Sequence, residues 1–307
     1  MENKIINDDC LNVLKDIPDK SFQVSFADPP FNLNKKYKNH NDKMDEGEYL
    51  DWCKNWLEEL VRVTKDDGSI FIHHIPIWLF EYSSILSKIS DFKHWISWDA
   101  PTSPMGKSLQ PNHYGFLYFA KNKKNNKFYE IRSPHKRDRK SGYLSKDYGG
   151  KKSSIHPFGP LLSDVWTDLH RIKHNKYRDE HPCQLPVSVL ERIVLMSSDE
   201  NDTIFDPFMG TGTTAIAAKR LGRKYFGIEK SKEYVQSSKG KLKMESRLSK
   251  FEDTYFSVYL NDIKTIRSAD WEKIIDLYEI PDDLKEVDAN KIQIKKEFKD
   301  LLKEISN

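Results

Sequence analysis

Asp206-Pro207-Phe208-Met209-Gly210-Thr211-Gly212-Thr213-Thr214-Ala215 is the stretch that decides the fold. A short apolar run, Thr203-Ile204-Phe205, precedes it, and a helical pattern from Ala215 to Leu221 follows. The glycines therefore stand at a strand-to-helix turn. Glycine reaches backbone angles closed to other residues, and without a Cβ it lets a ligand lie against the main chain. The helix that follows offers free N–H groups and the positive end of its dipole to an anionic group. A second apolar stretch, Tyr225-Phe226-Gly227-Ile228, ends in Glu229, 19 residues after Gly210. An acid about 20 residues past a Gly-rich turn accepts hydrogen bonds from two ribose hydroxyls. A Gly-x-Gly by itself is only a tight turn. With strand, turn, helix, strand and acid in register, the pattern reads as a site for an adenosine-containing cofactor.

The chain has 307 residues, 37% of them hydrophobic, 12% aromatic and 32% charged, which suits one large globular domain or one with an insertion. No apolar run reaches membrane-spanning length, and Met1 to Ile6 holds no signal-peptide core. The three cysteines, Cys10, Cys53 and Cys183, are widely spaced. They make neither a zinc motif nor a disulfide framework, so a reducing cytoplasm is the expected compartment. His73, His74 and His135 lack ligand spacing and read as ordinary polar residues, so no metal is expected. Net charge is only +3, but Lys121 to Lys152 holds 12 Lys/Arg against 3 Asp/Glu, leaving −6 for the rest of the chain. Such asymmetry suits a local site for a polyanion, with a solvated loop as the alternative.

In chain order, Asp8 or Asp9 is placed to cap a short helix after Lys4-Ile5-Ile6. Ser21 to Ala27 alternates like a strand and runs into Asp28-Pro29-Pro30-Phe31. Two prolines cannot continue a sheet ladder, so the strand stops there. Asp28 and Phe31 are thereby put at a strand's carboxyl end, the functional edge of open α/β sheets. Asn32 to Gly47 reads as a loop. Glu48 to Lys65 reads as a helix with Leu50, Cys53, Leu57, Leu60 and Val61 on one face. Strands are expected at Ser69–His73, His94–Trp98 and Gly115–Ala120, with a helix over Ile77–Ile89. From Lys121 to about Leu162 the basic residues are interleaved with Tyr129, Tyr143, Tyr148 and Phe158, a mixture that pairs phosphates and stacks on bases. His181-Pro182-Cys183-Gln184-Leu185-Pro186 is a turn before a helix at Val187–Met196, and a further helix is expected from Lys232 to about Arg247. Phe251 to Asn307 reads as a charged helical appendage.

Together these motifs resemble the S-adenosylmethionine-dependent DNA methyltransferases that modify exocyclic amino groups, in their permuted β group. Phe208-Met209-Gly210-Thr211-Gly212 matches that group's cofactor motif and Asp28-Pro29-Pro30-Phe31 its catalytic motif. His181 to Pro186 resembles its His-Pro-Thr-Gln-Lys-Pro turn, departing from it at Cys183 and Leu185. His113-Tyr114-Gly115-Phe116-Leu117-Tyr118-Phe119 resembles its His-Glu-x-Ile-Leu-x-Phe strand. The resemblance covers roughly residues 4–245, and the basic insertion takes the group's target-recognition position. It implies an α/β fold with a doubly wound, mostly parallel sheet, a catalytic half at 1–120, the insertion at 121–162, a cofactor half at 163–250 and the appendage at 251–307. It implies S-adenosylmethionine as cofactor, with Asp206, Pro207, Phe208, Gly210, Gly212 and Thr213 at its methionine end and Glu229 on its ribose. His181 and Gln184 belong to the same contact set, and Asp9-Cys10 either approaches the adenine ring or simply caps a helix. Asp28, Pro29, Pro30 and Phe31 are the implied catalytic residues, and Lys136, Arg137, Arg139 and Lys140 the implied DNA contacts. Double-stranded DNA is the implied partner, with no membrane partner; a cognate restriction endonuclease and a homodimer stay open.

The chemistry accounts for the catalytic motif. An adenine or cytosine amino nitrogen is a poor nucleophile, because its lone pair is delocalised into the ring. A carboxylate at Asp28 and the Pro29 carbonyl can each accept one N–H, which favours a tetrahedral nitrogen with its lone pair free. Phe31 is placed to stack on the base, which must be flipped out of the duplex. Asp28 favours adenine N6, since the N4-cytosine group more often has Ser there. Pro182-Cys183-Gln184 also looks like the nucleophile tripeptide of cytosine-C5 enzymes. In that family it follows the Gly-rich motif, whereas here it precedes it. A non-catalytic nucleic-acid-binding protein that kept the fold is the remaining alternative.

Overall fold

The structure, a computed structural model, describes residues 1–32, 44–100, 111–132, 161–167 and 185–248, with short stretches outside them. The chain divides into two compact units. The first joins Met1–Phe128 to Asp164–Ser246, and the second joins Tyr129–Ser163 to Arg247–Asn307.

An eight-stranded sheet forms the first unit. Its strands are β1 (Lys4–Ile6), β2 (Phe22–Ala27), β3 (Thr64–His74), β4 (Asp91–Asp99), β5 (His113–Ala120), β6 (Val165–Trp166), β7 (Thr203–Asp206) and β8 (Lys224–Ile228). Their order across the sheet is β1-β8-β7-β2-β3-β5-β4-β6. From β1 to β3 every neighbour is parallel, and β5 alone runs against the rest. Parallel strands are covered on both faces, so they read as continuous apolar runs. All six residues of β2 are buried, Gln23 and Ser25 included. Phe22, Phe205 and Phe226 stack across three adjacent strands, with centroids 4.5 Å apart for the first pair and 6.0 Å for Phe205 and Phe226. Each such pair adds about 0.5–1.5 kcal/mol beyond simple burial.

Among the described residues six helices pack on this sheet: α1 (Cys10–Leu14), α2 (Glu46–Val63), α3 (Pro76–Leu86), α4 (Val187–Ser197), α5 (Thr213–Arg220) and α6 (Lys232–Met244). Helices α1, α2 and α3 share one core cluster with Ile70, Ile72, Leu117 and Phe205. Helices α5 and α6 bury Ala215, Ile216, Val235 and Leu242 against Ile5 and Met209. The buried stripe of α2 includes Tyr49 and Trp56, and Leu50 is only half-buried. The periodicity expected Leu50 on that stripe; the polar tip of Tyr49 wins the inner place because it has partners there, described below. Lys121, counted at the start of the basic insertion, turns inward instead. Its ammonium donates to the carbonyls of Arg62 and Thr64 at 2.9 and 2.7 Å, closing the end of α2. Lys127 pairs with Asp199 and Asp202, both at 3.0 Å.

The second unit brings together the stretches that the sequence reading kept apart, the insertion and the C-terminal residues. Ile131–Arg132 pairs antiparallel with Ile266–Arg267, and the Arg267 guanidinium lies 3.7 Å from the centre of the Tyr129 ring. Lys250–Phe251 pairs with Thr254–Tyr255, and Tyr278–Glu279 with Gln293–Ile294. A helical appendage was expected over 251–307. Its described residues include these short strand pairs and single helical residues at Lys273 and Lys296, and the remainder lies outside the described residues. The scattered Ile and Leu of that stretch fit neither period strongly enough to decide.

Candidate active site

Parallel neighbours put their carboxyl ends on one edge. Ile6 is level with Ile228, Asp206 with Gly227, and Phe205 with Ser25. The residues just past those ends are Asn7 to Cys10, Glu229, the Gly-rich turn and Asp28, so the fold collects them at one edge of the sheet. Asn7 stitches two of the turns together, donating to the carbonyls of Glu229 and Lys230 at 2.9 and 3.0 Å.

The Gly-rich turn is built as its sequence suggested. Gly210 and Gly212 have φ of 52° and 92°, the left-handed region that only glycine enters freely. A Cβ on Gly212 would also lie 2.7 Å from the Ser238 Cβ, so this glycine is required by close packing on α6 as well. Gly212 caps α5, and Thr213 is its first residue, half-buried. Pro207 is buried, and Phe208 packs edge-on against Trp56 with centroids 5.2 Å apart. The Glu229 carboxylate takes the Gly210 N–H on one oxygen at 2.8 Å and the Ser231 N–H on the other at 2.7 Å. Burial raises its pKa, against the lowering effect of those N–H groups. Each oxygen keeps a second lone pair for a further donor. Turn, glycines and acid thus fit an adenosine cofactor: a main-chain cradle without Cβ atoms, beside a fixed carboxylate.

Asp9 caps α1, accepting from the Leu11 N–H at 3.0 Å, and its other oxygen lies 3.3 Å from the Lys230 ammonium. The alternative of a helix cap is therefore present, and it stands beside Glu229 all the same. Cys10 is buried, and burial, followed by the nearby Asp9, pushes its thiol up to about 12.

The second wall is the Asp28-Pro29-Pro30-Phe31 turn. The ladder ends with Ala27 level with Ile72, and Asp28 and His73 are the next residues along the two chains. The His73 Nδ1 lies 2.9 Å from the Asp28 Oδ1. Below the turn runs a buried network. The Tyr49 hydroxyl donates to the Pro30 carbonyl and meets the His74 Nε2 at 3.1 Å and the Tyr82 hydroxyl at 2.8 Å. Because the Ile75 N–H donates to the His74 Nδ1, the proton of that ring is on Nε2, which donates to Tyr49. Cys53 donates in turn to Tyr82 at 3.3 Å, and the Trp78 Nε1 donates to the Phe31 carbonyl at 3.1 Å. Burial, together with Tyr49 and Cys53, holds Tyr82 well above the usual phenol range. The carbonyls of both Pro30 and Phe31 are thus pinned from α2 and α3.

One expectation changes here. His73 and His74 were read as ordinary polar residues, yet His73 bonds Asp28 and His74 braces Tyr49 beneath the Asp28–Phe31 turn; the only sequence signal was their place at a strand end. Phe31, expected to stack on a flipped base, is 3% exposed, its ring 4.4 Å from that of His74 and 5.9 Å from that of Tyr114. His181, Gln184, Lys136, Arg137, Arg139 and Lys140 lie outside the described residues. Among the described residues no group of three or more His, Cys, Asp or Glu could hold a metal ion. No described helix is long and apolar enough to cross a membrane.

The DNA methylase family, of the N6/N4 methyltransferase type, matches residues 22–240. The chain belongs to this family. It is 37% identical over 268 residues to the type II methyltransferase M.BamHI of Bacillus amyloliquefaciens, covering 86% of this chain and 63% of that protein. It is also 37% identical to M.BglII of Bacillus subtilis, covering 76% of this chain and 67% of that one. The chain therefore spans just under two thirds of the M.BamHI length. Its fold is shared with TTHA0409 of Thermus thermophilus, solved with S-adenosyl-L-methionine, at a TM-score of 0.56 and 22% identity over 79% of this chain and 93% of that one.

One acid at this sheet edge carries its own pH signature. Asp206 is 2% exposed and accepts from the Phe208 N–H at 2.8 Å and the Thr214 hydroxyl at 2.6 Å. Burial raises its pKa to about 7, with Asp28 and Glu229 adding repulsion against those two hydrogen bonds. A folded-state value raised above about 3.9 contributes stability that is full below pH 4 and lost as pH rises through about 7. Asp206→Asn removes that titration. Between pH 5 and pH 8 its melting temperature is expected to gain a few degrees on the wild type. Parallel pH profiles for the two proteins in thermal melts would sink the assignment.

Proposed function

We propose that this methylase transfers a methyl group from S-adenosylmethionine to the exocyclic amine of a flipped base in duplex DNA, adenine N6 being the target. The observation that carries the reading is the shared sheet edge, where the Gly-rich turn with Glu229 stands beside Asp28-Pro29-Pro30-Phe31. The cofactor supplies an electrophilic methyl group on a sulfonium. Glu229 and the main chain around Gly210 and Gly212 hold its ribose and its methionine end. The Asp28 carboxylate would accept one amine N–H and the Pro29 carbonyl the other, leaving the nitrogen lone pair free to attack. His181, Gln184, Asp9 and Cys10 complete the cofactor side, and Lys136, Arg137, Arg139 and Lys140 meet DNA phosphates. Most of the rate then comes from positioning and electrostatics, without a covalent intermediate. The acid at position 28 favours adenine. Cytosine N4 presents the same two hydrogens, and it is the second outcome of the test. That test is incubation with DNA and labelled cofactor, then digestion to nucleosides. Label in N6-methyl-2′-deoxyadenosine supports the reading, label in N4-methyl-2′-deoxycytidine keeps the mechanism and changes the base, and label in 5-methyl-2′-deoxycytidine overturns it.

The insertion gives a separate expected result. Neutralising Lys136, Arg137, Arg139 and Lys140 together removes up to four phosphate contacts. The slope of log affinity against log salt should then flatten by about 3–4. An unchanged slope in a filter-binding titration would make the run a solvated loop.

A further inference from the structure

We infer that His73 is a positioning residue of the methyl-transfer site: its Nδ1–H holds one Asp28 oxygen and so leaves the other facing the target amine. The inference rests on the reading above. Each residue follows the last registered pair, Ala27 and Ile72, and the contact is 2.9 Å. An ionised carboxylate only accepts, so the proton of this contact is on the imidazole. The His73 side chain is 4% exposed and that of Asp28 16%. The ring is caged by Phe116, Tyr114, Phe31 and Trp98, with centroids at 4.8, 5.4, 5.8 and 5.8 Å.

The cage argues against a packing role. The other ring nitrogen, Nε2, is buried and has no hydrogen-bond partner among the described residues. Buried polar atoms are nearly always paired, so an orphan marks a site where something other than stability has been selected. A phenylalanine or leucine would fill this apolar cage without that cost. What histidine adds is a single donor, and that donor points at the one acid whose orientation the chemistry depends on. Asp28 itself follows the last strand residue and precedes two prolines, so no ladder bond beyond Ala27 fixes its carboxylate. Effective molarity falls steeply when a reacting group is held about 1 Å out of place.

The test uses the full chain with two variants, His73→Leu and His73→Asn. The asparagine amide nitrogen can occupy the place of Nδ1, so it restores the donor, whereas leucine fills the cage and donates nothing. His73→Leu is expected to lower kcat about 10- to 100-fold, the loss of one charge-assisted hydrogen bond. Cofactor and DNA dissociation constants should stay within about twofold, since neither ligand depends on this donor in the ground state. His73→Asn should recover most of the rate. Nitrogen NMR of the imidazole in the wild type provides a readout free of activity, with a protonated Nδ1 and a bare Nε2. The reversed tautomer overturns the inference, as does a leucine variant with kcat unchanged, or a folded asparagine variant as slow as the leucine one. A wild type with that tautomer and no methyl transfer would instead sink the proposed function.

Discussion

Asp28→Ala should bind cofactor and DNA yet transfer methyl groups at least 100- to 1,000-fold more slowly, the usual cost of removing one preorganised electrostatic contact. The carboxylate stands just past the buried end of β2 and is 16% exposed, so it is not a core residue. Removing it leaves the His73 donor without a partner, a cost of about 1–3 kcal/mol in stability. Thermal melts must therefore accompany the kinetics. Asp28→Asn separates the two effects, because its amide oxygen still accepts from His73. It should restore the melting temperature while recovering only part of the rate, since a neutral acceptor is weaker than a carboxylate. If Asp28→Ala lost cofactor affinity in step with activity, the acid would belong to the cofactor site and its catalytic role would be wrong.

What was legible in the sequence follows from how each feature is encoded. Apolar runs closed by Asp28-Pro29 and Asp206-Pro207 mark strand ends directly, since proline cannot continue a ladder. Their strands then appear at Phe22–Ala27 and Thr203–Asp206. The Gly-rich turn is equally local: Gly210 and Gly212 carry the positive φ that the motif requires. The contacts of His73 with Asp28 and of Tyr49 with Pro30 are of another kind. They join residues 45 and 19 apart, and they exist only once β3 lies beside β2 and α2 lies below the turn. No periodicity encodes a neighbour across the sheet. The burial of Phe31 was missed for the same reason: its partners, His74 and Tyr114, arrive from two other strands. Lys121 shows the converse error, for a charge count cannot tell a lysine that caps a helix end from one that faces a polyanion.

Glu229→Ala tests the cofactor side, with S-adenosylmethionine affinity expected to fall on the order of 100- to 1,000-fold, two charge-assisted hydrogen bonds being lost. The carboxylate has two jobs. It fixes the turn, through the Gly210 and Ser231 N–H groups at 2.8 and 2.7 Å. In the proposed function its remaining lone pairs also accept from the ribose hydroxyls. Loss of affinity alone could come from either job, because alanine leaves two backbone donors unpaired and lets the turn relax. A deoxyribose analogue of the cofactor distinguishes them. Against the wild type the analogue should bind more weakly, having lost a donor to Glu229. Against Glu229→Ala it should bind as well as the parent cofactor, because the partner is already gone, and the two losses should not add. Isothermal titration gives all four dissociation constants. Ligand-dependent melting checks them, since saturation at 100 times Kd raises stability by about 2.7 kcal/mol. If the analogue lost the same affinity against both proteins, Glu229 would be a brace of the Gly-rich turn, and the ribose would have to be held elsewhere.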